Sequence, residues 1–139
     1  MYEKKLDEDI RCPLEYGLSI FSGKWKSRIL YLLAVHGKVR YSAIRRDIGN
    51  ITDAVLASTL KEMIADGIIY REQYNEIPPR VEYSLTEKGR SALPMLFGIC
   101  QWAAQYIKID EDRLFPQCDE CEHDCNMNNF HKYVDQQSG

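Results

Sequence analysis

The stretch that most restricts the fold is YSAIRRDIGNITDAVLASTLKEMIADG, residues 41–67. YSAIRRDI suits a helix of about two turns, with Ile44 and Ile48 inward and Arg45 and Arg46 outward. Gly49-Asn50 turns the chain, and Thr52 can cap a second helix whose Leu56, Leu60, Met63 and Ile64 make one apolar stripe. The opposite face holds Asp53, Ala54, Ala57, Ser58 and Lys61, with few bulky side chains near the helix start. A helix of this kind is either a solvated surface element or one shaped for a DNA major groove. That groove admits one α-helix, and short polar side chains near the helix N-terminus read its base edges.

The flanking segments supply a frame. Cys12-Pro13 opens a helix, LEYGLSIFS, with Leu14, Leu18 and Phe21 on one side and Pro13 at its first position. Ser22-Gly23 ends it. In KWKSRILYLLAVHG, Trp25, Ile29, Leu32 and Leu33 recur at helical spacing, and Gly37 provides the stop. Lys38-Val39-Arg40 reads as a short strand. After Gly67, IIYREQYN and RVEYSL alternate as two antiparallel strands joined by Glu76, Ile77, Pro78 and Pro79. Proline fixes φ and donates no ladder hydrogen bond, so two in succession favour a stiff, protruding tip. Arg80 at its base would reach a phosphate, or a narrow minor groove, at less entropic cost than an arginine on a loose loop. The plainer alternative is that the prolines only guard an edge hairpin against aggregation.

From Thr86 onward, TEKGRSALPMLFGICQWAAQYIKI forms two helical stretches divided near Pro94. Leu96, Ile99, Trp102 and Tyr106 give the second more apolar surface than a small domain needs. A two-fold dimer would bury it and set two recognition helices about 34 Å apart, matching successive major grooves. A monomer that folds this helix onto its own core is the alternative.

A net charge of −3 over 139 residues would weigh against nucleic acid if it were evenly spread. It is not. Residues 11–108 carry 14 Lys and Arg against 9 Asp and Glu, while residues 1–10 hold 2 against 4 and residues 109–139 hold 2 against 8. A basic body wears acidic ends, and phosphate binding needs a local positive surface rather than a positive total. The expected organisation is an N-terminal arm at 1–10, one domain at 11–109 and an acidic, cysteine-containing tail at 110–139. No apolar run approaches the roughly 20 residues that span a bilayer, and the opening MYEKKLDEDI is too charged for a signal peptide. A cytoplasmic location is expected.

Taken together, these features resemble the HxlR-type winged helix-turn-helix transcription regulators, relatives of the MarR type. The match rests on Cys12-Pro13, the Gly23-Lys24-Trp25 turn, Ile29-Leu30, the pair YSAIRRDI and ITDAVLASTL, Asp66-Gly67, and PPRVEYSLTEKG, in order over about two-thirds of the chain. The resemblance implies an α+β, mostly helical fold: a winged helix-turn-helix domain with N- and C-terminal dimerisation helices. It also implies a homodimer on a pseudo-palindromic operator in double-stranded DNA. Carried onto this chain, it assigns base reading to Thr52, Asp53, Ala54, Val55, Ser58 and Thr59, and phosphate or groove contacts to Arg45, Arg46, Lys61 and Arg80. Many relatives have a proline and then a basic residue after the capping hydroxyl, where this chain has Asp53 and Ala54. Asp53 suits the helix dipole but repels phosphate; it either supports the cap or accepts from a cytosine amino group.

Cys12 lies beside a helix N-terminus, where the dipole favours thiolate, and some members of the resembled family sense oxidants, quinones or aldehydes with a cysteine at this place. An inert buried thiol is the alternative. In the tail, Cys118, Cys121 and Cys125 with His123 can close a tetrahedral zinc site, and with Cys12 or Cys100 the three tail thiolates could instead hold an iron-sulfur cluster; zinc is the cofactor expected first. A thiol–disulfide switch or an unstructured acidic tail are the other readings of this cluster. A regulator answering to a redox, electrophile, metal or small-molecule signal is therefore expected, with a winged-helix protein-interaction module as the alternative. An enzyme is not expected: no phosphate-binding glycine loop appears, and serine, histidine and acidic residues are scattered.

Overall fold

A computed structural model describes residues 9–109, which fall into two compact units divided between Gly89 and Arg90. The first contains α1 (Pro13–Phe21), α2 (Lys26–His36), β1 (Val39–Arg40), α3 (Tyr41–Ile48), α4 (Asp53–Ala65), β2 (Ile69–Tyr74) and β3 (Arg80–Leu85). Helix α5 (Glu87–Ser91) runs across the border, and α6 (Leu93–Ala104) lies in the second unit.

In the first unit, Ile29 and Leu33 of α2, Ile44 of α3 and Leu56, Leu60 and Met63 of α4 are fully buried. Ile68, Ile69 and Leu85 from the hairpin join them. Side chains of this size each contribute about 1.5–3 kcal/mol when withdrawn from water, so this set fixes how the helices sit on the sheet. The sheet is antiparallel in the order β1-β3-β2, with Val39 opposite Tyr83, Ile69 opposite Leu85 and Tyr74 opposite Arg80. The alternation expected of β3 stops where Tyr83, Ser84 and Leu85 are all buried. Successive side chains point to opposite faces, so both faces of this middle strand are covered there.

One local feature departs from the sequence reading. Trp25 does not belong to the apolar stripe of α2 but precedes the helix at its N-cap, half-buried, with the Lys24 ammonium 4.5 Å from its ring centre. Its indole takes a surface position because the helix begins one residue later. In α1 only Ile20 is buried, whereas Leu14 and Leu18 are 68% and 58% exposed. The face of α1 that carries Leu14 and Leu18 is open.

Thr86 joins the sheet to α5. Its hydroxyl donates to Ile68 O (3.0 Å) and accepts from Gly89 N (3.0 Å), satisfying an amide of the first turn. In the second unit, Pro94 sits in the first turn of α6, where a missing amide costs nothing, and the break falls two residues earlier, at Ala92. Ile99, Trp102 and Tyr106 are 49%, 63% and 71% exposed. Among the described residues no helix is long and apolar enough to cross a membrane.

Candidate nucleic-acid interface

Helices α3 and α4 are joined by a four-residue turn whose geometry is set locally. Gly49 adopts φ +87°, a conformation costly for residues with a Cβ, and its amide donates to Arg45 O at 2.9 Å to close α3. Ile51 is buried and anchors the turn. Thr52 then takes an extended conformation and its hydroxyl accepts from Val55 N at 3.2 Å, the cap anticipated from sequence.

The start of α4 is occupied differently from the expectation. Asp53 Oδ1 lies 2.6 Å from Arg45 Nε and accepts a 3.2 Å hydrogen bond from the Tyr41 hydroxyl. Asp53 is thus a clasp between α3 and α4. The clasp is a third role beside the two foreseen, cap support and a bond from a cytosine amino group, and its partners stand on the preceding helix. The Tyr41 phenol is held above its ordinary pKa, first by burial and then by its bond to Asp53. Arg45, expected to point at phosphate, is committed to Asp53. Arg46 is exposed and pairs only with its neighbour Asp47 at 3.2 Å, and Lys61 is exposed with no ion pair among the described residues.

On α4, Ala54, Val55, Ala57 and Ser58 are exposed. Thr59 turns its hydroxyl back onto its own helix, donating to Val55 O at 2.7 Å. The residues foreseen as base readers therefore divide: Thr52, Asp53 and Thr59 have partners within the protein, while Ala54, Val55 and Ser58 stand clear.

The hairpin β2–β3 forms a wing with Glu76–Pro79 beyond the paired strands, Ile77 fully exposed and the Ile77–Pro78 peptide cis. Arg80 sits at its mouth and is tethered there. Its Nη2 lies 3.2 Å from Glu76 Oε1, its Nε 3.5 Å from Glu82 Oε1, and its guanidinium stacks 4.1 Å from the Tyr74 ring centre. The Nε contact is an ion pair without a hydrogen bond. A guanidinium held at the base of the wing was the expectation; the cross-strand register places Tyr74 opposite Arg80, where the two side chains stack. Nearby, Lys38 Nζ is 3.3 Å from a Glu72 oxygen. The Glu72 carboxyl is held below its ordinary pKa by the Tyr74 hydroxyl and then by Lys38, while Lys38 is raised, chiefly by Glu72.

An open groove of about 540 Å³ separates the wing from the start of α3, with Arg40, Tyr41 and Ser42 on one side and Arg71, Pro79 and Arg80 on the other. Arg40 and Arg71 are exposed and make no ion pair among the described residues. Neither was singled out from sequence. Strand register does not bring them together, since Arg40 opposes Glu82 and Arg71 opposes Tyr83, consecutive residues of β3; it is the groove beside the wing that both of them line. Tyr41 lines this groove and also bonds Asp53, so the wing and the start of α4 adjoin the same residue.

Cys12 is the N-cap residue of α1 and its thiol is exposed in the single chain. It stands clear because the buried part of α1 begins only at Ile20. Cys100 is exposed too. The proposed zinc cluster of Cys118, Cys121, His123 and Cys125 lies outside the described residues. Among the described residues, no group of three or more His, Cys, Asp or Glu could hold a metal ion.

Comparison with known proteins adds to this geometry. The profile of the HxlR-like helix-turn-helix family matches residues 20–111. An uncharacterized HTH-type transcriptional regulator of Methanothermobacter thermautotrophicus is 46% identical over 106 residues, 76% of this chain and 80% of the relative. One from Halalkalibacterium halodurans is 43% identical over 104 residues, 75% and 92% of the two chains. Among solved structures, the redox regulator HypR in its oxidized form is similar with a TM-score of 0.63 at 40% identity, covering 70% of this chain and all of that one.

Proposed function

This chain belongs to the HxlR-like helix-turn-helix family and is a DNA-binding transcription regulator, and from that premise we propose that it works in the cytoplasm as a homodimer on a pseudo-palindromic operator. Each protomer lays α4 in a major groove. Ala54, Val55 and Ser58 face the bases, while Arg46 and Lys61, with Arg40 and Arg71 beside the wing, face phosphates. Arg45 and Arg80 organise this surface through Asp53 and through Glu76, Glu82 and Tyr74, and add their charge to the field that the duplex meets. The observation that carries the reading is Tyr41, which adjoins the wing groove and clasps the start of α4, so that both surfaces can meet one duplex.

Dimerisation is favoured by the apolar side chains left open on α1 (Leu14, Leu18) and on α6 (Ile99, Trp102), which are too numerous for a chain that works alone. The exposed thiol of Cys12 is accessible to an oxidant or electrophile and is the sensing candidate, a reading supported by the likeness to a redox regulator.

The test is binding of the full chain to duplex DNA over a salt series. Several phosphate contacts predict a log–log slope of about −0.9 for each. Salt-independent association overturns the assignment and favours a protein-interaction module. Replacing Cys12 with Ser and finding unchanged DNA release under oxidant removes that residue from the response.

A further inference from the structure

We infer that the sequence preference of this regulator is set by thymine methyl groups, read by the small apolar side chains Val55 and Ala54 in the first turn of α4, and not by hydrogen bonds from polar base readers. This inference rests on α4 being the groove-reading helix, and it identifies which base feature that helix recognises.

Guanine is read in the major groove by the paired donors of Arg or Lys, adenine by the amide of Asn or Gln, and cytosine by an acidic acceptor. From Ala54 to Leu60 the helix carries none of these, its run being AVLASTL. Asp53 is the one acidic candidate, and it is spent on Arg45 at 2.6 Å and Tyr41 at 3.2 Å. The two threonine hydroxyls are also engaged, Thr52 by the cap and Thr59 by Val55 O. What remains exposed over the first two turns is Ala54, Val55, Ala57 and the hydroxyl of Ser58.

Helical spacing then decides their arrangement. Leu56, Leu60 and Met63 are buried, so Ala54, Ser58 and Lys61 fall on the opposite stripe, with Val55 and Ala57 along its two flanks. Val55 is 40% exposed, although a valine of a surface helix is free to turn inward only if the core has room for it. A patch of methyl groups bordered by one hydroxyl matches one base feature in the major groove, the C5-methyl of thymine, which accepts apolar contact from such side chains. A hydroxyl serves any base and so contributes position rather than choice. Small side chains also let the helix backbone approach the base edges closely, and a methyl contact requires that approach.

The experiment begins by selecting preferred sites from a random duplex library with the full-length protein. Each thymine of the selected site is then replaced by deoxyuridine, which pairs identically with adenine and lacks only the methyl. The expected result is a loss of about fourfold in affinity at one or two thymines of each half-site. That is the value of one buried methyl at about 0.8 kcal/mol per group and 1.4 kcal/mol per tenfold. In Val55→Ala, a surface change to the residue of best helix propensity, the penalty at one of those thymines should fall towards none. Selected sites whose thymines all tolerate deoxyuridine overturn this inference while leaving α4 as the reading helix. A thymine penalty undiminished in Val55→Ala removes Val55 from the readout and overturns the inference as stated. A library that returns no preferred site overturns the base-reading role of α4 and this inference with it.

Discussion

Asp53→Asn isolates the clasp between the two helices. The substitution keeps size and shape, so the Tyr41 hydroxyl can still donate to the side-chain oxygen, but it removes the negative charge 2.6 Å from Arg45. Both partners are well exposed, at 46% and 70% of their side-chain areas, so solvent screening limits the pair to about 0.2–1 kcal/mol of stability. Loss of an acidic residue from the first turn adds about 0.3–1 kcal/mol. The Thr52 cap is untouched, so the fold survives with a slightly lower Tm. DNA binding should move the other way. Arg45 gains freedom to meet a phosphate, and a carboxylate that repels the backbone disappears. One added phosphate contact steepens the log–log salt slope by about 0.9, so the advantage of the variant over wild type should shrink by about 3.5-fold between 50 and 200 mM salt. The assay is fluorescence anisotropy with a specific duplex and a scrambled one across that range. Equal gain on both duplexes, fading with salt, is the expected outcome. A variant slope equal to that of wild type would refute the placement of Arg45 and Asp53 at the DNA-facing surface.

Two further perturbations follow from the packing and the wing. In Gly89→Ala the new Cβ would collide with the backbone carbonyl of Ile68, which is pinned by Thr86 through hydrogen bonds of 2.9 and 3.0 Å. Alanine is favoured over glycine in helices by about 1 kcal/mol, so a net loss of about 2 kcal/mol or more in thermal unfolding would expose the clash, and an unchanged Tm would contradict it. In Tyr74→Phe the ring remains under Arg80 while the hydroxyl that does most to depress Glu72 is removed. The Glu72 carboxyl should then titrate closer to its ordinary value, as followed by carbon NMR, and an unchanged titration would remove Tyr74 as a cause of its depression. The sign is that of a depressed acid: its stabilisation is present above the ordinary carboxylate range and is lost as pH falls through the folded value, and Tyr74→Phe reduces that loss.

Much of the local structure was legible because its causes are local. Thr52 caps α4 through an amide three residues away, Gly49 closes α3 on a carbonyl four residues back, and the stripe of Leu56, Leu60 and Met63 is a matter of spacing. The candidate site was legible as a region and not as a set of roles. Arg45 and Asp53 meet across a turn, at a distance set by how α3 and α4 cross, and Arg80 is claimed by Tyr74 through strand register. Arg40 and Arg71 come to one groove from separate strands of the sheet, which no short window of sequence brings together.

The sequence alone determined the order of the helices and strands, the cap and apolar stripe of α4, the close of α3 at Gly49 and that a proline-bearing wing follows the second helix of the pair, since these depend on side-chain periodicity and capping within a few residues. Only the tertiary structure decided which polar groups are left for DNA. A polar group already paired within the protein is less free to pair with DNA, and whether Asp53, Thr59 and Arg80 find partners inside the protein depends on neighbours that folding alone supplies.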